Sequence, residues 1–303
     1  MGSLVGHVAP GLGFLLIGLW HFFNHTKLHL IYPSTYTSLP WFPTKPIKYL
    51  ELNIIALGSA ASISMELFIS PNYHQPLDPS DLTIPSNHLH NFEHSSISLS
   101  FLVYSLFAIA LDRQINPGPA NAALTYLAAA MAFTQELLMF HLHSTDHMGA
   151  EGQYHLLLQS VILVSLASTL LGIVCPKSFV VSFVRSASLV FQGVWFVIMG
   201  WVLWTPSLVF KGCFINLEDG RSVVRCHGRE WLERAKSLVN IQFSWVLVGV
   251  TVFSLGLYLI LSRVYQVEEY RFLDKNGGGG DDDLESPENV QELKRLMHLE
   301  LKR

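Results

Sequence analysis

Seven long apolar stretches constrain the fold of this 303-residue chain more than any other feature of its sequence. A helix needs about 20 apolar residues to cross the hydrocarbon core of a bilayer, which is roughly 30 Å thick. Clusters of Pro, Gly, Asn and Ser separate the stretches, as expected for loops between helices. The sequence therefore predicts an all-α fold, a polytopic bundle of seven transmembrane helices. The predicted spans are residues 4–24, 47–70, 89–111, 120–143, 154–175, 187–209 and 238–262.

The composition of the chain agrees with a membrane protein. Hydrophobic residues make up 50% of the chain, charged residues 14%, and the mean hydropathy is +0.36, whereas soluble domains carry roughly 25% charged residues. The net charge of −4, without a basic stripe that alternates with aromatic residues, excludes a nucleic-acid-binding surface. We expect a multi-pass protein in contact with membrane lipid, in the endomembrane system or the plasma membrane.

Lysine and arginine in the connections predict the orientation, because short cytosolic loops are enriched in these residues. The first, third and fifth connections carry basic residues, whereas the second and fourth carry none. This pattern places the N-terminus outside the cell or in a lumen, and the C-terminus in the cytosol. The basic residues counted are Lys27, Lys45, Lys48, Arg113, Lys177 and Arg185.

Two cysteines, Cys213 and Cys226, lie in the sixth connection, which this orientation places on the non-cytosolic side. In an oxidising compartment such a pair can form a disulfide. The alternative is two unpaired thiols, as a cytosolic loop would hold.

The chain changes character after the seventh span. Residues 266–303 are polar and contain a glycine run and an acidic block, which is typical of a flexible segment. We expect residues 1–265 to form the transmembrane domain. Residues 266–303 are expected to form a partly disordered cytosolic tail that binds trafficking or other proteins.

Ionisable side chains gather near the non-cytosolic end of the second and third spans. In the sequence HNFEH, His90, Glu93 and His94 share one helical face, because residues three and four apart lie on the same side. Glu66 lies at the corresponding depth of the second span. An unpaired carboxylate in hydrocarbon costs several kcal/mol by the lower estimates, so we expect these acids to have a partner or to keep a proton.

The first, fourth and fifth spans add ionisable residues at the same depth. Glu136 and His143 share a face of the fourth helix, whereas His141 points about 140° away from it. The first span begins with His7, and the fifth begins near His155.

Histidines and carboxylates that face one cavity from several helices are typical of a divalent-cation site. Zinc suits this set best, because magnesium and calcium prefer oxygen ligands. The central predicted ligands are Glu66, His94, Glu136 and His143, with His90 and His155 as further candidates. In the alternative, Glu–His hydrogen bonds only fasten the helices together.

A second group of histidines, His21, His25 and His29, has helical spacing at the cytosolic end of the first span. Because we expect the chain to leave the membrane near Asn24, we interpret these histidines as interfacial. Glu51, near the cytosolic end of the second span, is likewise expected to reach the interface.

Several motifs resemble, in order, the transmembrane protein 45 family of multi-pass proteins: GHVAPGLGFLLIGLW, a glutamate in span two, EHSSISLSF and QELLMFHLH. The resemblance covers most of the chain through span seven and excludes the tail. It implies a seven-helix protein of internal or surface membranes and carries no settled biochemical activity. The matching positions are Gly6, His7, Pro10, Gly11, Trp20, His94, Glu136, His141 and His143. On this basis His7 and His141 join the predicted metal ligands.

Three functions fit these features, and the sequence leaves open whether the protein is an enzyme. The first is a structural or signalling membrane protein with a polar site that holds zinc. The second is a zinc-dependent intramembrane hydrolase of a lipid amide or ester, in which Glu136 or Glu93 is the general base for a zinc-bound water. Seven-helix zinc hydrolases of ceramide-like lipids are its parallel, although span seven lacks histidine here. The third is a metal- or proton-coupled transporter. Transport sites usually lie near the bilayer midplane, and we expect few polar groups at that depth, which argues against this function.

Overall fold

The computed structural model describes residues 4–69, 75–114, 118–142, 149–218 and 221–276, with side chains as far as residue 265 except at 221. These residues form seven α-helices and one β-hairpin. The elements are α1 (Leu4–Ile31), α2 (Leu50–Ser64, continued by a π-helical turn at Met65–Ile69), α3 (Leu89–Asp112, preceded by a 3₁₀ turn at Ser86–His88), α4 (Pro119–Leu142), α5 (Gly149–Val174), α6 (Phe179–Trp204), β1 (Cys213–Glu218), β2 (Arg221–Cys226) and α7 (Arg229–Asn276).

All seven helices of the described residues are long and apolar enough to cross a membrane. Their number and order agree with the predicted spans and with a multi-pass membrane protein. The bounds differ most at α7, which extends from Arg229 to Asn276. Among the first six helices they differ most at α1, which continues to Ile31, and at α6, which begins at Phe179. Both extensions carry buried polar side chains that satisfy one another, as described below, so these turns need not leave the membrane to find water.

The first six helices close into a ring, in which consecutive helices pack together and α6 returns to α1. Aromatic side chains from four of these helices meet inside it. The ring of Phe14 lies 5.6 Å from that of Phe101 and 5.9 Å from that of Phe196, and Phe101 lies 5.6 Å from Phe133. This apolar layer connects α1, α3, α4 and α6.

The contact between α1 and α6 is the closest in the ring. A Cβ added to Gly193 would lie 2.4 Å from the backbone nitrogen of Leu15, and one added to Gly18 would lie 2.6 Å from that of Val190. Helices in membranes approach this closely where small residues face each other. The glycines of α1 and α6 therefore set the spacing of the two helices.

A disulfide-linked hairpin connects α6 to α7. Cys213 of β1 lies opposite Cys226 of β2, and the two side chains form a disulfide. Across the same hairpin, Arg225 Nε donates to Glu218 Oε1 at 2.7 Å. This hydrogen bond lowers the pKa of Glu218 to about 2.

The hairpin marks one end of the ring. Trp204, at the end of α6, donates from Nε1 to the carbonyl oxygen of Ser222 in β2 at 3.3 Å. The same indole stacks on His7 near the start of α1, with ring centroids 4.3 Å apart. We call this the hairpin end, and we call the end where α1 finishes and α6 begins the opposite end.

The chain divides into two compact units, residues 1–256 and 257–303. The ring, the hairpin and the first part of α7 belong to the first unit. In the second unit, α7 continues as a helix to Asn276, past the predicted start of the tail at residue 266. The rest of the predicted tail, residues 277–303, lies outside the described residues.

Candidate functional site in the bundle interior

Glu136 lies inside the ring on α4 and is 1% exposed. Its Oε1 accepts a hydrogen bond from Nε2 of Gln192 on α6, at 2.6 Å. Its Oε2 is buried and has no hydrogen-bond partner among the described residues. An ionised carboxylate here would be poorly compensated, and burial of an uncompensated charge is costly. The surroundings therefore favour the protonated, uncharged form of the Glu136 carboxyl group.

A series of polar side chains continues from Glu136 toward the opposite end. Gln192 Oε1 lies 3.5 Å from Ser165 Oγ on α5, and Ser165 Oγ lies 2.9 Å from Ser188 Oγ on α6. Ser188 in turn donates to the backbone oxygen of Arg185 at 2.8 Å. Gln192, Ser165 and Ser188 are all buried. We call Glu136, Gln192, Ser165 and Ser188 the polar series.

The polar series leads to a buried arginine. The guanidinium of Arg185 donates from Nη2 to His25 Nε2 and to the backbone oxygen of Leu39, each at 2.9 Å. The same nitrogen lies 3.5 Å from His21 Nδ1, a weaker contact. The guanidinium also lies over the ring of Tyr126, 4.7 Å from its centroid, a favourable cation–π distance.

Glu51 supplies the negative charge beside this arginine. Its carboxylate accepts hydrogen bonds from His21 Nε2 at 2.7 Å, Trp20 Nε1 at 3.0 Å and the backbone N–H of Phe42 at 2.9 Å. His21 lies between the carboxylate and the guanidinium. Three donors and a nearby cation compensate the charge that burial would otherwise penalise.

The arginine fixes the tautomers of both histidines, because a guanidinium only donates. His25 Nε2 and His21 Nδ1 must accept, so their protons reside on His25 Nδ1 and His21 Nε2. His25 Nδ1 can then donate to the hydroxyl of Tyr36 at 2.9 Å. Burial raises the pKa of Tyr36 to about 12, so this hydroxyl stays protonated at neutral pH. We call Arg185, His25, His21, Glu51 and Tyr36 the arginine network.

The arginine network lies in the protein interior and corrects one sequence-based interpretation. His21, His25 and Glu51 are 4%, 0% and 4% exposed, and their depth near the membrane interface stays a prediction. Arg185, assigned to a loop, lies within α6 and is 4% exposed. Each of these groups is buried because another group of the network supplies its hydrogen bonds. His29 stacks on Phe179 at 4.1 Å.

At the hairpin end, Glu66 forms a second polar site with α3. Its Oε2 accepts from Asn91 Nδ2 at 2.8 Å, and its Oε1 lies 3.3 Å from His94 Nδ1. Glu66 belongs to the π-helical turn that continues α2, and such turns occur frequently at functional sites. The ring of His90 lies 6.2 Å from that of His94.

Glu93 and His94 line a small space between α3 and α4. The space is too narrow to admit a water molecule and is lined on the α4 side by Met139 and Phe140. Of the two predicted general bases, Glu93 is the one that lines the same space as His94. Glu136 is instead bonded to Gln192.

The remaining predicted ligands lie in other surroundings. His7 and His155 are buried and stack on each other with ring centroids 5.9 Å apart, and His155 lies 5.3 Å from the ring of Phe140. His141 is exposed, with Nδ1 3.3 Å from Gln159 Oε1, as its predicted orientation away from Glu136 implies.

The predicted zinc ligands that the structure describes do not meet at one point; the contacts found among them join two residues at a time. No group of three or more His, Cys, Asp or Glu side chains that can hold a metal occurs within the described residues. His143 lies outside them, so the complete ligand set stays a prediction. The structure joins Glu66 to His94 and His7 to His155.

Polar groups at mid-depth are the feature that sequence reasoning missed. We expected few, yet Gln192 lies at the middle of α6 and Ser165 faces it from α5. The available signal was a glutamine within a long apolar stretch. A polar side chain in such a stretch usually faces the bundle interior.

Residues 122–259 match the model of a family described as "Family of unknown function (DUF716)". The match extends from α4 into α7. It includes Glu136, Ser165, Arg185, Ser188 and Gln192. Glu51 and the histidines of α1 precede it.

Proposed function

We propose that this multi-pass membrane protein moves protons across the bilayer, with Glu136 as the group that binds the proton within the membrane. The observation that carries the proposal is the polar series, which leads through the bundle interior from Glu136 to the backbone oxygen of Arg185, the residue whose side chain holds the arginine network together. The orientation that we adopt has the N-terminus outside and the C-terminus in the cytosol. It rests on the counted basic residues that remain in the connections, Lys45, Lys48, Arg113 and Lys177, since Lys27 and Arg185 lie within helices. The hairpin end is then non-cytosolic, and its disulfide accords with that side.

Glu136 has the chemistry of a proton-binding group. One neutral amide is its hydrogen-bond partner in the described part of the chain, so the protonated acid is the stable form. Release of the proton creates a charge that requires a rearrangement or a water to stabilise it. Ionisable residues inside membrane bundles commonly mark proton relays for this reason.

The arginine network offers an acceptor at the opposite end. His21 and Glu51 are 2.7 Å apart, a distance at which a proton can pass between imidazole and carboxylate. Arg185 supplies a guanidinium, which only donates hydrogen bonds. Its fixed charge balances Glu51 and keeps the two histidines neutral, and because it occupies their free ring nitrogens, the proton acceptor of the network is the Glu51 carboxylate.

Gln192, which lies between Glu136 and Ser165 in the polar series, determines how a proton can leave Glu136. An amide N–H does not release its proton at neutral pH, so Gln192 cannot relay one. Glu136 must therefore exchange this partner for the Ser165 hydroxyl, directly or through a water. Ser165 and Ser188 can both donate and accept, and they lead to the level of Arg185.

Proton flux into liposomes tests the proposal. Purified full-length protein is reconstituted with pyranine inside, and a potassium gradient with valinomycin provides the driving force. Wild type is expected to change the lumenal pH faster than empty liposomes, and Glu136→Gln to return the rate to the empty-liposome value. Glu93→Gln is the matched control, because it removes a membrane carboxylate outside the polar series and should keep the wild-type rate. Equal rates for wild type and Glu136→Gln contradict the proposal.

A divalent cation at the Glu66–His94 pair is a second candidate function. It is favoured by the 3.3 Å approach of carboxylate and imidazole, with Asn91 holding the second carboxylate oxygen. Zinc accepts both ligand types. Such a site would serve a structural or signalling protein, or a lipid hydrolase. Of the two predicted general bases Glu93 would act there, because Glu136 is bonded to Gln192.

Metal content of the purified protein tests this second candidate. Elemental mass spectrometry is expected to find near-stoichiometric zinc in wild type and its loss in folded His94→Ala. His141→Ala is the control, since His141 is exposed and pairs with Gln159. A folded wild type that stays free of metal after zinc is offered excludes both the zinc site and the hydrolase.

We also propose that the chain belongs to the transmembrane protein 45 family. The ordered motifs of spans one to four resemble the transmembrane protein 45 family, and the family match from residue 122 onward agrees with it. The proposed location is the endomembrane system or the plasma membrane. We also propose that the tail, residues 266–303, binds trafficking or other proteins.

A further inference from the structure

An apolar groove of about 430 Å³ lies between α5, α6 and α7. It is lined by residues of α5 around Val164, of α6 from Phe183 to Phe191, and of α7 from Phe243 to Leu255. All three helices are membrane-spanning by length and composition. The groove therefore opens at the depth of the lipid chains, and its volume lies in the range of small-molecule sites, about 300–1,000 Å³.

The lining contains one hydroxyl whose hydrogen bonds are not made within the described residues. Ser254 Oγ is buried, with the residue 1% exposed, and has no partner there. The other hydroxyls of the lining donate to backbone oxygens: Ser160 to Leu157, Ser188 to Arg185 and Thr251 to Leu247. Ser254 is thus a donor and acceptor available to a molecule in the groove, and a buried polar group without a partner is costly.

Charge restricts the ligand further. None of the residues that line the groove in the described part of the chain is Asp, Glu, Lys, Arg or His. A fatty acid would bring a carboxylate without a counter-charge, which burial penalises. A hydrocarbon chain alone would leave Ser254 unpaired. The ligand that fits is neutral and carries one hydrogen-bonding oxygen.

The shape of the groove favours a rigid ring system. The α7 wall from Phe243 to Leu255 covers thirteen residues, a rise of about 18 Å over twelve steps of 1.5 Å. This is slightly more than one leaflet of a hydrocarbon core roughly 30 Å thick. Three phenylalanines, Phe183, Phe191 and Phe243, line the groove, and flat apolar rings pack well against such side chains without losing much conformational freedom.

We propose that this groove binds a membrane sterol, with the sterol hydroxyl at Ser254 and the ring system against the phenylalanines. Ser254 lies at the end of the groove farther along α7, toward the opposite end of the bundle. The sterol tail then points toward the bilayer centre, as in a leaflet. This site goes beyond the proposed proton movement and does not depend on it.

Photolabelling of the full-length protein tests the site. The protein is reconstituted in phosphatidylcholine vesicles that contain a photoactivatable, clickable cholesterol analogue, and labelled peptides are identified by mass spectrometry. Wild type is expected to be labelled on α5, α6 or α7 between residues 160 and 255. Excess unlabelled cholesterol is expected to suppress this labelling.

Two variants act on different parts of the site. Ala187→Phe fills the groove and is expected to abolish the competed labelling. Ser254→Ala removes one hydrogen bond, which corresponds to roughly a two- to tenfold weaker apparent affinity. Ser262→Ala is the control on the same helix, because its hydroxyl donates to the backbone oxygen of Leu259 at 2.8 Å, and it should bind like wild type.

The outcomes separate the alternatives. Loss of labelling in Ala187→Phe together with weaker binding in Ser254→Ala supports the sterol site. Labelling that Ala187→Phe leaves unchanged, or that maps outside the groove, overturns it. Equal labelling by a photoactivatable palmitic acid in wild type and Ser254→Ala overturns the sterol and assigns the groove to lipid chains. If Ala187→Phe fails to fold, the comparison of Ser254→Ala with Ser262→Ala decides.

Discussion

Replacement of Gly193 by alanine is expected to destabilise the bundle by separating α1 from α6. The added Cβ would lie 2.4 Å from the backbone nitrogen of Leu15 and 2.6 Å from the backbone oxygen of Gly11. Backbone atoms of a helix cannot rotate away as a side chain can. The two helices must therefore move apart.

The magnitude follows from the required displacement. Ordinary van der Waals contact begins at 3.4 Å, so the 2.4 Å approach must lengthen by about 1 Å, a gap that already forfeits roughly half of the dispersion energy of the atoms that face it. Overpacking of this kind costs about 1–3 kcal/mol. The intrinsic preference of a helix for alanine over glycine offsets up to about 1 kcal/mol of that cost. The net expectation is a loss of stability.

Gly58→Ala provides a matched control on α2. A Cβ at Gly58 meets no atom within 4 Å in the described part of the chain, leaving aside its own helix. Because alanine is the better helix former, this variant should be neutral or slightly stabilised. The chemical change is identical, so the comparison isolates the helix contact.

Thermal unfolding in one detergent, followed by tryptophan fluorescence, measures the difference. For domains of 150–250 residues 1 kcal/mol corresponds to roughly 2–4 °C in Tm, so the apparent Tm of Gly193→Ala should fall by several degrees below that of Gly58→Ala. Equal apparent Tm values for the two variants would refute the close α1–α6 contact.

Three further predictions concern charges and the hairpin. Arg185→Met should lower stability by about 3–5 kcal/mol, because the buried Glu51 carboxylate keeps its hydrogen-bond donors but loses the cation that balances its charge. Addition of Glu51→Gln should recover much of the loss in apparent Tm, and a double variant no more stable than Arg185→Met contradicts the charge balance. Reduction of the hairpin disulfide should destabilise by about 3 kcal/mol for a loop of this length, with an unchanged Tm in reductant as the contrary result. Since Arg225 lowers the folded pKa of Glu218 to about 2 from an ordinary 4.5, this pair stabilises the hairpin fully above pH 4.5 and loses its effect as the pH falls toward 2. Hydrogen exchange of the hairpin, compared with Glu218→Gln at each pH, should therefore differ at pH 6 and converge near pH 2, and a difference independent of pH would contradict this sign.

The seven helices were predictable because the length of an apolar run is a local property of the sequence. The depth of the ionisable residues followed from the same runs, as the pairing of Glu66 with His94 illustrates. The rotation of each helix was not predictable, since packing with other helices determines it. For this reason Glu136, expected beside His94, is bonded to Gln192; its predicted partner His143 lies outside the described residues.

The arginine network shows why burial was misjudged. Counting basic residues in loops assigned Arg185 to a connection, and local hydropathy placed His25 and Glu51 at an interface. The partners that make burial tolerable are distant in sequence, such as His25 and Arg185, 160 residues apart. A single sequence contains no local signal for such a pairing.

The direct test of proton movement is the initial rate of lumenal pH change in liposomes that contain the wild-type protein, beside liposomes that contain Glu136→Gln at the same protein content. The account predicts a potential-driven rate well above that of empty liposomes for wild type, and a rate equal to that of empty liposomes for Glu136→Gln. A wild-type rate indistinguishable from that of empty liposomes, with the protein folded and incorporated, would contradict it.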